Sequence, residues 1–331
     1  MKYEAINNKL FIDNRANYIK HLKPNSLALF VSNDLLPTNA DGSFGFVQNS
    51  DLFYLSGIDQ EDSILLIFPD VKDGKHKEVL FLKETSELIA IWEGAKLNKS
   101  QATAVSGIDH IYWISDFDKV FKSLVFQAEH IYLNSNEHTR RYIDMETAEM
   151  RFNSKIKAQC PLHTIQRSAP IMHRIRSVKH PIEIELMQHA CDITEKGVRR
   201  LLNFIKTGVT EYEIEAELIH EFVRNKSRGF AYGPIIASGA SACVLHYVEN
   251  NRVCKDGDVI LVVGNDGQFA KLCEVIGLAP CASDPRFATN AQRINNLPAL
   301  MDLIRAEFIQ WERHKMIEAL DQAGVPCGPI N

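Results

Sequence analysis

Short apolar runs separated by turn-forming residues mark the first half of the chain, and longer helical stripes mark the second. Leu27-Ala28-Leu29-Phe30-Val31, Ser63-Ile64-Leu65-Leu66-Ile67-Phe68, Val79-Leu80-Phe81-Leu82 and His130-Ile131-Tyr132-Leu133 are compact apolar blocks. Blocks this short, bounded by turn signals, suit buried strands. Asn8 to Leu22 and Asp116 to Phe126 carry helical spacing between them, and Pro37, Asn39, Asp41 and Gly42 predict a loop after the first strand. The pattern predicts a compact α/β domain over residues 1–165.

From Arg167 to His180 the pattern becomes basic and irregular. Pro181 then opens a long helix, at the one position where its missing N–H costs nothing. Glu183 and Glu185 lie in its first turn, where negative charge complements the helix dipole. Ile184, Met187, Ala190, Cys191, Thr194, Val198, Leu201, Leu202 and Ile205 trace one expected buried face, and Gly208 ends the helix. A second helix starts at Thr210, with Glu213 three residues on as a capping box. Phe230 to Ile236, a small-residue segment and a strand at 258–263 follow. This is an α+β layout, with a domain boundary between 165 and 180.

Composition narrows the function classes. A net charge of −5 and a pI near 6.2 give no reason to expect nucleic acid or an anionic membrane as partner. Cysteines 160, 191, 243, 254, 273, 281 and 327 form an odd set without C-x-x-C spacing, which reads as reduced thiols in a cytoplasmic protein. The start lacks the apolar core of a signal peptide, and no apolar run approaches membrane-spanning length.

Several ordered motifs resemble the aminopeptidase P (Xaa-Pro aminopeptidase) family. They are Phe11 through Arg15, Asn49-Ser50-Asp51-Leu52-Phe53-Tyr54-Leu55-Ser56-Gly57, Ile91-Trp92-Glu93-Gly94, Ile175 through Ile184, Gly229 through Gly239, Ala242 through Asn250 and Asp256 through Leu261. The resemblance covers residues 1–263. It implies a creatinase-like α/β amino-terminal domain over 1–165, then a pita-bread metallopeptidase domain of which 166–263 is only the first part. It further implies a peptide substrate cleaved before proline. Two divalent metals, usually manganese, would be held by two Asp, one His and two Glu, and would activate a bridging hydroxide.

The same resemblance places the first metal ligand at Val263, whose side chain offers no lone pair. Nothing downstream matches the remaining ligand motifs, so no cofactor is expected for this chain. His246, in the Leu-His-Tyr motif, takes the family's substrate-binding place; the plainer reading is a histidine packed or hydrogen-bonded at a strand edge. His220-Glu221 on a helical face reads as a solvated pair rather than a ligand set.

Residues 264–331 change character. Gly264 through Gly277, Asp284-Pro285-Arg286-Phe287-Ala288-Thr289-Asn290, Arg293, Asn296 and Ala323 through Asn331 resemble the class III CoA-transferases. That family's acyl-accepting aspartate lies in a region this chain does not match. Gly264-Asn265-Asp266-Gly267 is read as a turn, not a phosphate loop. The spacing predicts helices over Asp266 to Ile276, Leu297 to Phe308 and Trp311 to Ala323, a short helical tail.

The chain is therefore expected to be a chimera, broken off in mid-motif at its end. Either two reading frames met near Ile260-Leu261-Val262-Val263-Gly264, or a real protein lost catalysis and kept its amino-terminal domain. Three functions follow: an inactive Xaa-Pro aminopeptidase relative, a CoA-transferase fragment, or a noncatalytic interaction or oligomerisation module.

Overall fold

Alternating apolar residues on short strands require a covering layer on each face, and the chain supplies both. The computed structural model describes residues 3–138, 144–244, 246–258, 260–262, 266–287, 292 and 296–323. It divides into two compact units, Ala5–Glu185 and Leu186–Asn331, the latter joined by the first four residues. The strand at Val263, the turn at Gly264-Asn265, Arg293 and the terminal Gly324 through Asn331 lie outside the described residues.

The first unit runs α1 (Lys9–Ile19), β1 (Ser26–Val31), α2 (Ser50–Ser56), β2 (Ile64–Ile67), β3 (Glu78–Leu82), α3 (Glu87–Glu93), α4 (Lys99–Ser106), β4 (His110–Trp113), α5 (Phe117–Val125), β5 (His130–Leu133), α6 (Ala148–Gln159), β6 (Thr164–Arg167) and α7 (Ala169–Ser177). The strands form one mixed sheet in the order β4-β3-β2-β1-β5-β6. β2 is antiparallel to β1 and β3, and the other neighbours are parallel.

Side chains alternate across the sheet with period two. Leu27, Leu29, Leu66, Phe81 and Ile131 pack with Phe117, Phe121 and Leu124 of α5 and Ile156 of α6. Ala28, Phe30, Leu65, Ile67 and Leu80 pack on the other face with Tyr18, Leu52, Leu55, Ala102, Met172 and Ile175. Burying each large apolar side chain contributes about 1.5–3 kcal/mol.

The four predicted strands are present. β4 and β6 add to the predicted set; as edge strands they are only partly buried and carry no aliphatic run that would announce them. The basic stretch after Arg167 is not irregular. It contains α7, with Pro170 in its first turn and Met172 and Ile175 buried beneath its arginines. This unit's sheet and its covering helix thus extend beyond residue 165.

The second unit contains α8 (Pro181–Phe204), which begins at the end of the first, then α9 (Glu211–Arg224), β7 (Ile236–Ser238) and β8 (Ile260–Val262). α9 has the predicted capping box, with Thr210 N–H donating to Glu213 at 2.7 Å. β7 and β8 pair antiparallel, Ala237 opposite Leu261, in a two-stranded sheet. Ile236 joins Leu201, Val209, Ile214, Leu218 and Cys254 in a small core.

α8 buries a face rotated from the expected one, which it shares at Leu201. Ile193, Gly197 and Leu201 are inside, whereas Ile184, Met187, Val198 and Leu202 are exposed. The cause is Gly197: a Cβ there would stand 2.7 Å from Leu218 and 3.0 Å from Phe222 of α9, so only glycine lets the helices approach. A hydrophobic count gives glycine no weight and follows the richer stripe instead.

The tail forms α10 (Asp266–Val275), α11 (Leu297–Phe308) and α12 (Arg313–Gln322). Cys273, Ile276, Cys281, Phe287, Leu300 and Ile304 build a cluster of their own.

Candidate functional site

The local sequence around His246 forces an irregular path. A short 3-10 turn over Gly239–Cys243 follows β7, and the loop after it carries two non-glycine residues in the left-handed region, His246 at φ +57° and Asn250 at φ +43°. Side chains with a Cβ rarely adopt that conformation, histidine and asparagine less rarely than most. His246 is exposed, while Tyr247 and Asn250 are buried.

Two carboxylates of α9 meet this loop. Glu211, fully buried, accepts from Ser238 N–H (2.6 Å), the Ser238 hydroxyl (2.7 Å), the Tyr247 hydroxyl (2.7 Å) and Arg252 N–H (3.0 Å). Burial alone would raise the Glu211 pKa, but the hydrogen bonds from Ser238, Arg252 and Tyr247 outweigh it and hold the group below the usual carboxylate range. Burial, together with donation to Glu211, pushes the Tyr247 hydroxyl up. Glu215, one turn on, accepts from Asn250 Nδ2 at 2.8 Å, and the same amide bonds Pro234 O and Ile236 N–H.

Sequence reasoning missed Glu211. The available signal was a glutamate directly after the N-cap threonine, which the reading of Glu213 as the capping partner eclipsed. His220 is exposed as expected, but its neighbour Glu221 is more than solvated, since it accepts from Asn225 Nδ2 at 2.8 Å and lies 3.6 Å from Arg200.

The donor inventory of the described residues does not suit a dinuclear metal. Among the described residues no group of three or more His, Cys, Asp or Glu could hold a metal ion. The two carboxylates that α9 brings to this loop, Glu211 and Glu215, already accept protein donors. Val263, the expected first-ligand position, lies outside the described residues, and an aliphatic side chain has no lone pair to give. Cys160, Cys191, Cys254, Cys273 and Cys281 are free thiols, and all but Cys191 are buried. No described helix is long and apolar enough to cross a membrane.

Comparison with known proteins agrees with this layout. Residues 11–132 match the aminopeptidase P N-terminal domain, residues 185–263 match metallopeptidase family M24, and residues 240–331 match CoA-transferase family III. The last two matches share residues 240–263. An Xaa-Pro aminopeptidase of Haemophilus influenzae is 30% identical over 76% of this chain and 56% of its own length. That of Escherichia coli is 27% identical over 78% of this chain and 58% of its own. The chain thus spans little more than half the length of these relatives.

Aminopeptidase P from Escherichia coli with the inhibitor Pro-Leu superposes with a TM-score of 0.67 at 27% identity, over 78% of this chain and 59% of that one. Pseudomonas aeruginosa aminopeptidase PepP gives 0.67 at 26% identity, over 78% and 58%. In the tail, a succinate–glutarate CoA-transferase of Agrobacterium fabrum is 41% identical over 76 residues, 23% of this chain and 19% of that protein. Over most of its length the chain is therefore a relative of the Xaa-Pro aminopeptidases, with an aminopeptidase P amino-terminal domain followed by an incomplete M24 metallopeptidase domain and a CoA-transferase family III segment.

Proposed function

We propose that this chain is a metallopeptidase relative without a hydrolytic centre. The observation that supports the reading is the change of family across residues 240–263: past Val263 the residues match a CoA-transferase rather than the part of an M24 domain that would supply the remaining metal ligands. His246 keeps the substrate-side place of the relatives, but a positioned histidine has no nucleophile to direct without the metal-bound hydroxide. In active relatives manganese would generate that hydroxide; among the described residues no cluster of donors for it is assembled. We further place the protein in the cytoplasm and its ancestral ligand among peptides with proline in second position.

The test is a manganese-supplemented assay of the full chain on an Xaa-Pro peptide. No metal-dependent release of the amino-terminal residue is expected, and turnover abolished by chelation would overturn the reading. Binding of a CoA ester is expected to be absent, because the segment matched covers 19% of the transferase relative.

A noncatalytic interaction role is favoured by one feature of the first unit. α3 buries none of its residues, and Leu88, Ile91 and Trp92 are 68%, 75% and 85% exposed on its one face. Exposed apolar clusters of this kind mark contact surfaces. Light scattering at increasing concentration would show self-association, and a strictly monomeric protein would set this second reading aside.

A further inference from the structure

We infer that Glu211 and Glu215, one turn apart on α9, form a two-point latch that holds His246 in its exposed, left-handed position with no metal required. His246 and Asn250 both have positive φ, with three residues between them. Residues kept in such sparsely populated conformations persist only where surrounding contacts over-determine them.

Those contacts come from α9. Glu211 takes the Tyr247 hydroxyl, directly after His246, and Arg252 N–H, beyond the second strained residue. Glu215 takes the side chain of that second residue, Asn250, whose amide also ties Pro234 and Ile236. The segment is therefore fastened at both ends, and His246 is exposed beside it. Charge-assisted hydrogen bonds of this kind are about twice as strong as neutral ones. Arg252 closes the far side through the Ser241 hydroxyl at 3.2 Å. Glu211 and Glu215 are thus positioning residues that act on His246 through Tyr247 and Asn250.

The inference rests on reading His246 as the substrate-side histidine. Its test reads loop geometry, so it succeeds or fails whether or not any peptide is cleaved. The full chain is compared with Tyr247→Phe, Glu211→Gln and Asn250→Ala by histidine-ring NMR, with the His246 signal identified by its loss in His246→Gln. Amide hydrogen exchange is followed in parallel. In Tyr247→Phe the His246 signal is expected to move or broaden, and exchange at residues 247–251 to accelerate about tenfold, as for loss of a hydrogen bond to a charged group.

Signals of His21, His76, His130 and His163, in the first unit, should stay fixed. Adding His246→Gly to Tyr247→Phe should restore protection, because glycine tolerates positive φ. If Glu211→Gln fails to fold, Tyr247→Phe and Asn250→Ala still apply, since the first removes only a Glu211 bond and the second removes the Glu215 arm together with the Pro234 and Ile236 bonds. An unmoved His246 signal with unchanged loop exchange in both of these variants would overturn the latch. So would a fall in melting temperature without any local change at His246.

Discussion

The guanidinium of Arg15, with no exposed surface, donates to the Glu78 carboxylate at 2.9 Å, and so ties α1 to β3. Its Nη1 donates to Leu55 O and Ser106 O, both at 2.9 Å, which caps the ends of α2 and α4. One buried cation thus gathers four elements on one face of the sheet. Removing a partner from such a pair leaves an uncompensated charge. Arg15→Ala should cost the first unit about 3–5 kcal/mol, and Glu78→Ala about 3 kcal/mol because Glu78 keeps some exposure. Urea unfolding monitored on the first unit checks both values.

The exposed stripe of α8 gives a second prediction. Met187 is 54% and Val198 42% exposed, against 2% for Leu201 at the buried edge of the same stripe. Met187→Lys with Val198→Glu should change stability by about 0.5 kcal/mol or less, as surface substitutions do, while raising solubility. Leu201→Ala should cost about 2–5 kcal/mol. Equal losses in the two variants would show that the stripe is covered.

Acid should loosen the second unit through Glu211. Its folded pKa is depressed below its unfolded one. The stability it contributes is thus fully present above the unfolded carboxylate range and is lost as pH falls through the folded value. Chemical denaturation between pH 7 and pH 3 should show a steeper loss for the wild type than for Glu211→Gln. Parallel curves would remove Glu211 as the cause.

Limited proteolysis of the full chain should yield an amino-terminal fragment that retains α7. Ending it at residue 165 would cut through β6, which pairs with β5 from His130 opposite Thr164 to Leu133 opposite Arg167. It would also strip Met172 and Ile175 from the core. A resistant fragment ending near 165 would show that this edge is dispensable. Cleavage within the second unit should come first, where the sheet has two strands and the cores are small.

The aliphatic strands β1, β2, β3 and β5 were legible because burial on both faces writes an unbroken apolar run. The partly exposed edges β4 and β6 write none. The motifs shared with the aminopeptidases became legible as packing only in three dimensions. Gly57 ends α2 at φ +69° against the Phe11 ring, where a Cβ would stand 2.3 Å away, and Asn49 caps the same helix through Asp51 and Leu52 N–H. The Phe11–Arg15 and Asn49–Gly57 motifs are thus two halves of one contact. At the candidate site, the sequence pointed to His246 and to the aliphatic residue at 263. The buried role of Glu211 was hidden because a glutamate in a first helical turn ordinarily faces solvent.

The proposal that this chain holds no dinuclear site is tested most directly by metal titration of the purified full chain. Isothermal calorimetry with manganese, followed by elemental analysis after desalting, should show no stoichiometric uptake. Retention of two metal ions per chain would contradict the account.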